Sequence, residues 1–231
     1  MGAILWREMT RLVGTGRSAD VFEHGETEVL RRYRRPRDTE REVAAMEHAR
    51  AHGYPAPSAR ALNDTDIVME RLEGPTMLVD MMRRPWRIRD HAATLALLLD
   101  GLHAIPAPDW LPSPVGEGDA LLHLDLHPEN VILTAHGPVV IDWPNAACGP
   151  AAVDVAHSWI VVACSLPPND PVKRAVTLAG RRLFLSLFLR HFERRELCAH
   201  LRAAADYRLA VRELPRGEPE SIRQLVARNS P

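Results

Sequence analysis

The segment His123–Asn130 carries side chains whose types and spacing could support group-transfer chemistry. Asp125 and Asn130 lie five residues apart in a predicted loop, and a hairpin after them would bring back a second carboxylate, Asp142. A carboxylate can accept or orient the proton of a hydroxyl, and carboxylate and amide oxygens are ligands that Mg²⁺ prefers. Phosphoryl transfer needs an aligned nucleophile and cations that neutralise the phosphate oxygens. The pattern predicts that Asp125 aligns an acceptor hydroxyl and that Asn130 and Asp142 bind Mg²⁺.

An alternative for the same segment is a transition-metal site. His123, Asp125 and His127 alternate, so a strand would place them on one face, and His and Asp are common zinc ligands. This alternative leaves Asn130 and the returning carboxylate Asp142 unexplained. We therefore group His123 with the catalytic residues as a histidine that holds the loop rather than one that transfers protons. The role of His127 stays open.

The order of these residues resembles the catalytic core of the aminoglycoside phosphotransferase family, which is related to the protein kinases. The HxDxxxxN loop of that family is matched by His123, Asp125 and Asn130, and its metal-binding aspartate by Asp142. The resemblance implies ATP or GTP and Mg²⁺ as cofactors, and a small molecule with a hydroxyl group as the acceptor. It also implies that Asp154, in a segment similar to the start of a buried family helix, braces the catalytic loop.

A glycine-containing turn upstream resembles the loop with which this family covers nucleotide phosphates. Leu12–Val21 is predicted as a strand, a turn and a second strand. Glycines let backbone N–H groups approach phosphates closely, although Gly-Thr-Gly is also an ordinary hairpin sequence. The resemblance implies that the nucleotide is contacted by Gly14, Gly16, Ser18 and Val21.

The next predicted strand should present a cation to the α- and β-phosphates, and here the chain departs from the family pattern. Related kinases have a lysine there, whereas this sequence has Val-Leu-Arg-Arg at 29–32, and Lys173 is the only lysine among its 29 basic residues. Strand alternation puts Val29 and Arg31 on one face. We expect Val29 to contact the base and Arg31 to replace the lysine, with Arg32 as the alternative. Arginine is planar and bulkier than lysine, so the exchange is not conservative.

Glu42 is the candidate partner of that cation. Its spacing from Thr39 equally suits a capping box, in which two side chains bond N–H groups at a helix N-terminus, and both interpretations stay open. Further along, the chain is similar to the family's hinge. The similarity implies that Met69, Glu70 and Leu72 bind the purine, the last two through backbone groups.

The predicted elements change character near residue 74. The strands are predicted at Trp6–Val13, Ala19–Glu23, Glu28–Tyr33, Ala59–Leu62, Ile67–Leu72, Leu121–Leu124, Val131–Thr134 and Val139–Ile141. The helices are predicted from Asp38 or Thr39 to His52, from Asp90 to Ile105, and from Ala151 onward. This order predicts an α+β protein. With the resemblance, it implies a two-lobed protein-kinase-like fold: residues 1–73 form a small antiparallel nucleotide-binding β lobe with one helix, and residues 74–231 a larger helical lobe that holds the catalytic and acceptor-binding residues.

Composition places the chain among ordinary globular proteins, with 46% apolar and 26% charged residues. Three cysteines without CxxC spacing indicate reduced thiols in the cytoplasm, not a disulfide framework or a zinc site. No signal peptide is evident, and the most apolar window, Val153–Leu166, is too short to span a bilayer. The charge distribution does not indicate a nucleic-acid partner. We therefore expect a cytoplasmic protein without a nucleic-acid or membrane partner.

Charge also bears on the acceptor. Residues 151–231 carry 13 Lys and Arg against 8 Asp and Glu, although a polycationic aminoglycoside calls for an acidic pocket. The acidic candidates there, Glu193, Glu196 and Asp206, have arginine neighbours. We hypothesise that the acceptor is not a strongly cationic aminoglycoside.

Two other functions compete with a small-molecule kinase. The arginine at position 31 makes a nucleotide-binding pseudokinase, acting as a sensor or scaffold, conceivable. A protein kinase is the weaker alternative, because no extended segment resembling an activation loop lies between Asp142 and Asp154.

Overall fold

The computed structural model describes residues 11–211 and 214–229. Its strands are β1 (Leu12–Thr15), β2 (Ala19–His24), β3 (Glu28–Tyr33), β4 (Ala59–Ala61), β5 (Asp66–Glu70), β6 (Ala120–Leu122), β7 (Val131–Thr134), β8 (Gly137–Val140) and β9 (Ala147–Gly149). Its helices are α1 (Thr39–Ala51), α2 (Met77–Arg83), α3 (Ile88–His103), α4 (Ala151–Cys164), α5 (Pro171–Phe188), α6 (Arg194–Leu209) and α7 (Glu218–Asn229).

The chain divides into two compact units. The first contains the chain up to Gly74 and the segment Ile132–Pro144, and the second contains Pro75–Val131 and Asn145–Pro231. The first unit is built on an antiparallel sheet of order β1-β2-β3-β5-β4 with helix α1, and the second contains α2 to α7 and the two-stranded sheet β6-β9. The predicted α+β class is confirmed, with a small antiparallel β lobe that carries one helix and a mainly helical larger lobe. The division at residues 73 and 74 stays a prediction.

Strands β2 and β3 form the hairpin that the sequence predicted. Its turn contains Gly25 at φ +75°, a conformation that favours glycine. Strand β1 differs from the prediction, whose segment Trp6–Val13 lies largely outside the described residues. The strand continues through Gly14, which the sequence assigned to a turn, because a bulge after Leu12 shifts the register and Gly14 pairs with Val21.

Helix α1 lies within one residue of its predicted boundaries and has identifiable caps. The carboxylate of Asp38 accepts a hydrogen bond of 3.0 Å from the backbone N–H of Arg41, which satisfies an N–H group at the helix start. After the helix, Gly53 adopts φ +80°, which ends it in the left-handed conformation typical of C-terminal stops. The capping residue is therefore Asp38, and Thr39 is the first residue of the helix.

Two elements were not predicted from the sequence. Helix α2 begins after Thr76, whose hydroxyl accepts from the N–H of Val79 at 3.3 Å, so the capping signal was present in a segment with too few turns to show a period. Strand β9 is only three residues long and pairs with β6. At Gly149 a Cβ atom would lie 2.9 Å from a terminal methyl carbon of Leu122, so a larger residue would require that side chain to shift.

The core of the second unit surrounds α4. Eleven of its fourteen residues are buried, including Trp159 and Ile160, and the helix packs against both α5 and α6. A helix that is buried on nearly all sides is typical of the centre of a domain. No helix in the described parts of the chain combines the length and the apolar character needed to cross a membrane.

Candidate functional site

The sheet of the first unit presents the predicted nucleotide-binding side chains on one face. Directly paired residues of an antiparallel sheet lie on the same face, and the register pairs Val21 with Arg31 and Val29 with Met69. Because Val29 and Arg31 are two residues apart, all four side chains share that face. Met69 is buried, and Val21 and Val29 are half-buried. Their roles toward a base stay predictions.

Arg31 lies at the centre of a cluster of charges in the first unit. Its Nη1 donates to Oε1 of Glu42 at 3.3 Å, and its Nη2 donates to Oδ1 of Asp142 at 2.5 Å. The guanidinium carbon also lies 4.7 Å from the ring centroid of Tyr33. Burial alone would lower the pKa of Arg31, but the two carboxylates raise it above its ordinary value. Arg31 is therefore a permanent, fixed cation.

Glu42 holds this arginine from helix α1. Its Oε2 accepts a hydrogen bond of 2.6 Å from the hydroxyl of Tyr33, so both carboxylate oxygens are engaged. Burial raises the pKa of Glu42, and the neighbouring cation Arg31 opposes that shift. The capping-box interpretation is wrong, because Asp38 caps the helix and the hydroxyl of Thr39 donates to the carbonyl of Asn63 at 2.6 Å.

Arg32 is not the residue that joins this cluster. Its Nε and Nη2 each donate to one oxygen of Asp66 at 2.8 Å, in the bidentate geometry typical of arginine and carboxylate. As the neighbour of Arg31 in β3, it points to the opposite face of the sheet. Of the two candidates for the phosphate-binding cation, Arg31 is the one that shares a face with Val29.

The glycine turn between β1 and β2 is held by a residue that the sequence analysis did not identify. The N–H of Gly16 donates to the carbonyl of Ala19 at 2.8 Å and closes the turn around Ser18. Arg34 then donates from Nη1 to the carbonyls of Gly16 and Arg17, at 3.1 and 2.7 Å. Arg34 lies 18 residues after Gly16, and no local motif marks such a contact.

The predicted hinge begins in the last residues of β5 and continues beyond the strand. The backbone N–H groups of Glu70 and Arg71 donate to the carbonyls of Ser58 and Thr27, at 2.9 and 2.8 Å. Leu72 comes next and is half-buried. Gly74 ends this segment at φ +144°, where a Cβ atom would lie 2.1 Å from the carbonyl oxygen of Leu133, so only glycine fits. The predicted contacts of Glu70 and Leu72 with a purine stay predictions.

In the second unit, the loop after β6 is anchored on a buried carboxylate. The backbone N–H groups of His123 and Leu124 donate to Oδ2 and Oδ1 of Asp154, at 2.9 and 2.8 Å, and Nε2 of His103 lies 3.1 Å from Oδ2. Burial alone would raise the pKa of Asp154, but these hydrogen bonds hold it below its ordinary value. Leu124 adopts φ +52°, a strained conformation for leucine that both anchored N–H groups stabilise.

Asp125 and Asn130 lie at the two ends of this loop, and the loop joins them. The side-chain Nδ2 of Asn130 donates to the backbone carbonyl of Asp125 at 2.9 Å, which turns its amide oxygen away from that carbonyl. His127 has its Nε2 4.0 Å from Oδ1 of Asp125, and its Nδ1 accepts from the N–H of Glu129 at 3.3 Å. His123 is completely buried, as expected for a histidine that holds the loop.

A further residue next to Asp125 was missed by the sequence analysis. Nη1 of Arg208, in helix α6, lies 3.5 Å from Oδ1 of Asp125, although 83 residues separate them. The same guanidinium is bonded to Glu218 at the start of α7, at 2.9 Å from Nε and 2.8 Å from Nη2. Nothing in the local sequence distinguishes Arg208 from the other arginines of α6.

The acidic candidates for an acceptor pocket lie in two different places. Glu193 and Glu196 line a cleft of about 360 Å³ in the second unit, together with Asp100 and His103. Asp125 is not among the residues that line this cleft. Asp206 instead lies exposed on α6, paired with Arg202 one helical turn earlier.

The residues present fit Mg²⁺ better than zinc. Among residues 11–211 and 214–229, no group of three or more His, Cys, Asp and Glu side chains could hold a metal ion, so the zinc alternative through His123, Asp125 and His127 finds no support. The amide oxygen of Asn130 and the carboxylate of Asp142 are hard oxygen donors, which suit Mg²⁺. That these two residues bind it stays a prediction.

The site residues predicted from the sequence fall into two groups. Arg31, Glu42 and Asp142 meet in the first unit, and Asp142 adopts φ +71° there, an uncommon conformation that aspartate tolerates. Asp125 and Asn130 meet in the loop of the second unit. The convergence of the two groups on one divalent cation stays a prediction.

Comparison with known proteins gives a family and a fold. The model of the Phosphotransferase enzyme family matches residues 10–118 and 109–185. No curated protein sequence matches the chain.

Among solved structures, a thermostable mutant of aminoglycoside phosphotransferase APH(4)-Ia, in complex with AMP-PNP and hygromycin B, is 14% identical with a TM-score of 0.64, over 95% of this chain and 90% of that one. The ethanolamine kinase of Plasmodium vivax is 12% identical with a TM-score of 0.59, over 95% and 81%. The streptomycin–ATP complex of APH(2")-IIa is 13% identical with a TM-score of 0.56, over 95% and 91%. These likenesses confirm the predicted protein-kinase-like fold.

Proposed function

Because the chain belongs to the phosphotransferase enzyme family, we propose that it transfers the γ-phosphoryl group of ATP or GTP to a hydroxyl group of a small molecule. Family membership and the kinase folds with which it aligns support a small-molecule phosphotransferase. The similar structures bind ATP or AMP-PNP with streptomycin or hygromycin B, and another is an ethanolamine kinase. Streptomycin, hygromycin B and ethanolamine all carry hydroxyl groups. We expect the reaction to take place in the cytoplasm, without a nucleic-acid or membrane partner.

The observation that carries the proposal is the anchored loop of the second unit. Asp154 accepts hydrogen bonds from two consecutive N–H groups of this loop, and the side chain of Asn130 donates to the carbonyl of Asp125. These contacts fix the backbone to which the carboxylate of Asp125 is attached. A fixed carboxylate can orient a hydroxyl for in-line attack and accept its proton as the bond to phosphorus forms. These are the demands that phosphoryl transfer makes on protein groups.

The cluster around Arg31 supplies the nucleotide side of the proposal. A cation fixed by Glu42 can hold the α- and β-phosphates in one position, which is the role that a lysine has in related kinases. The guanidinium offers several N–H donors in a planar fork and suits phosphate oxygens. Asn130 and Asp142 would hold Mg²⁺, which when bound neutralises charge on the phosphate oxygens.

A pooled-acceptor experiment tests the proposal. The protein is incubated with Mg²⁺, with ATP or GTP in separate arms, and with a library of neutral, anionic and cationic alcohols that includes aminoglycosides. Mass spectrometry then detects products that are heavier by one phosphoryl group. A product from any acceptor supports the proposal and identifies the acceptor class. Turnover of aminoglycosides at micromolar concentration would contradict the hypothesis of a non-cationic acceptor.

The variant Asp125→Asn separates catalysis from binding. We expect transfer to fall by about 10²- to 10⁴-fold, because the amide cannot accept the proton, while nucleotide affinity is kept. Asp109→Asn is the matched control, since Asp109 is an exposed aspartate of the same unit. Undiminished transfer by Asp125→Asn would overturn the assignment. Nucleotide binding without transfer to any acceptor would instead favour the pseudokinase.

A further inference from the structure

The charges next to Asp125 come from helices near the C-terminal end of the chain. Arg208 is 7% exposed and Glu218 is 2% exposed, so both belong to the interior of the second unit. The side chain of Asp125 is 21% exposed and can still be reached from solvent. A buried guanidinium thus lies behind a carboxylate that remains accessible.

Glu218 determines the direction in which Arg208 points. Its Oε1 accepts a hydrogen bond of 2.9 Å from Nε of Arg208 and lies 2.8 Å from Nη2 in an ion pair, so that it occupies one edge of the guanidinium. The remaining nitrogen, Nη1, is then directed toward Oδ1 of Asp125 at 3.5 Å. Because the guanidinium is planar and rigid, fixing one edge also fixes the position of Nη1.

We propose that Arg208 is the positioning residue of Asp125, and that Glu218 holds Arg208 in place for this role. Nη1 restrains the orientation of the carboxylate, because the planar guanidinium to which it belongs is itself fixed by Glu218. The inference rests on the proposed function, because it takes Asp125 as the group that contacts the acceptor hydroxyl. The other titratable groups that face this cluster include His127, on the same loop, and His157 and Cys164, both on α4.

A simpler role for the same contacts is structural, because the pair of Arg208 and Glu218 also joins α6 to α7. The double variant Arg208→Gln/Glu218→Gln distinguishes the two roles, since it removes both buried charges together and leaves no unpaired buried charge. The matched control is Arg202→Gln/Glu220→Gln, which removes one exposed arginine from α6 and one exposed glutamate from α7.

The first measurement does not depend on activity. The side-chain carboxyl carbons of aspartate are labelled with ¹³C, and the resonance of Asp125 is identified by its loss in Asp125→Asn. At neutral pH we expect the chemical shift of this resonance to differ between the double variant and the wild type, because the guanidinium next to the carboxylate is gone. The control variant should give the chemical shift of the wild type. An unchanged chemical shift of Asp125 in the folded double variant would overturn the inference, whatever the catalytic activity.

The second measurement uses the acceptor found in the library. In the double variant we expect kcat to fall on the order of 10²-fold while KM for the nucleotide stays within about twofold, as for a misplaced catalytic group. Arg208→Lys keeps the charge but not the planar fork, so its kcat should lie between those of the wild type and the double variant. Should the double variant not fold, an unchanged kcat in Arg208→Lys would overturn the inference. A changed chemical shift of Asp125 in the double variant of a protein that phosphorylates nothing would support the contact and contradict the proposed function.

Discussion

Replacing Glu42 by alanine tests the reasoning about the buried cluster of the first unit. The residue is 2% exposed, and it accepts hydrogen bonds from both Arg31 and Tyr33. In Glu42→Ala the guanidinium of Arg31 keeps only Asp142 as a carboxylate partner within the cluster, and the hydroxyl of Tyr33 loses its acceptor. Both groups remain buried in the first unit.

The size of the effect follows from these contacts. Removing one partner of a buried ion pair costs about 3–5 kcal/mol, and the second carboxylate on Arg31 places this case at about 3 kcal/mol. For a chain of this length, each kcal/mol lowers the unfolding temperature by about 2–4 °C. We therefore expect Glu42→Ala to unfold roughly 6–12 °C below the wild type. Glu42→Gln should cost less, because its amide oxygen can still accept one of the two hydrogen bonds.

Thermal unfolding followed by circular dichroism at neutral pH measures this difference. Glu40→Ala is the matched control, because Glu40 lies in the first turn of the same helix and is exposed. Its free energy of unfolding should stay within about 0.5 kcal/mol of the wild type. If Glu42→Ala melted at the same temperature as Glu40→Ala, the assignment of a stabilising role to the buried pair would be refuted.

Two further predictions concern stability. Burial lowers the pKa of His157 to about 3. Below about pH 6.5 the histidine of the unfolded chain binds a proton that the folded chain excludes. The free energy of unfolding therefore falls as the pH drops below that value. The variant His157→Phe should not show this loss. In urea titrations, the unfolding free energy of the wild type relative to the variant should therefore fall by about 2 kcal/mol between about pH 7.5 and pH 5. Equal pH dependence of the two unfolding free energies would contradict the prediction. Gly74→Ala should destabilise by at least about 2 kcal/mol, because its Cβ would collide with a backbone carbonyl, whereas Gly180→Ala in the open middle of α5 should stabilise by about 0.5–1 kcal/mol. Urea titrations measure the change in unfolding free energy for both glycine variants. Equal changes at Gly74 and Gly180 would contradict the explanation by backbone collision at one site and open space at the other.

Local patterns were sufficient for much of the secondary structure. The hairpin of β2 and β3, helix α1 and helix α3 depend on spacings of two to four residues, and each was predicted to within two residues of its boundaries. The choice between Arg31 and Arg32 followed from strand alternation in the same way. Helix α2 and strand β9 were missed because they are too short to show a period, and β9 exists only through its pairing with β6.

The sequence by itself determined which chemical groups the candidate site contains and the order in which they occur. Asp125 and Asn130 are only five residues apart, so a single loop brings them together. Only the tertiary structure decided which charges meet. Arg31 and Asp142 are 111 residues apart, and Arg208 and Asp125 are 83 apart. In a chain in which nearly every basic residue is arginine, residue type does not mark the functional one. Arg202 and Arg208 lie on one helix, but a spacing of six residues turns them about 240° apart. The packing of α6 therefore buries one guanidinium behind Asp125 and leaves the other in solvent.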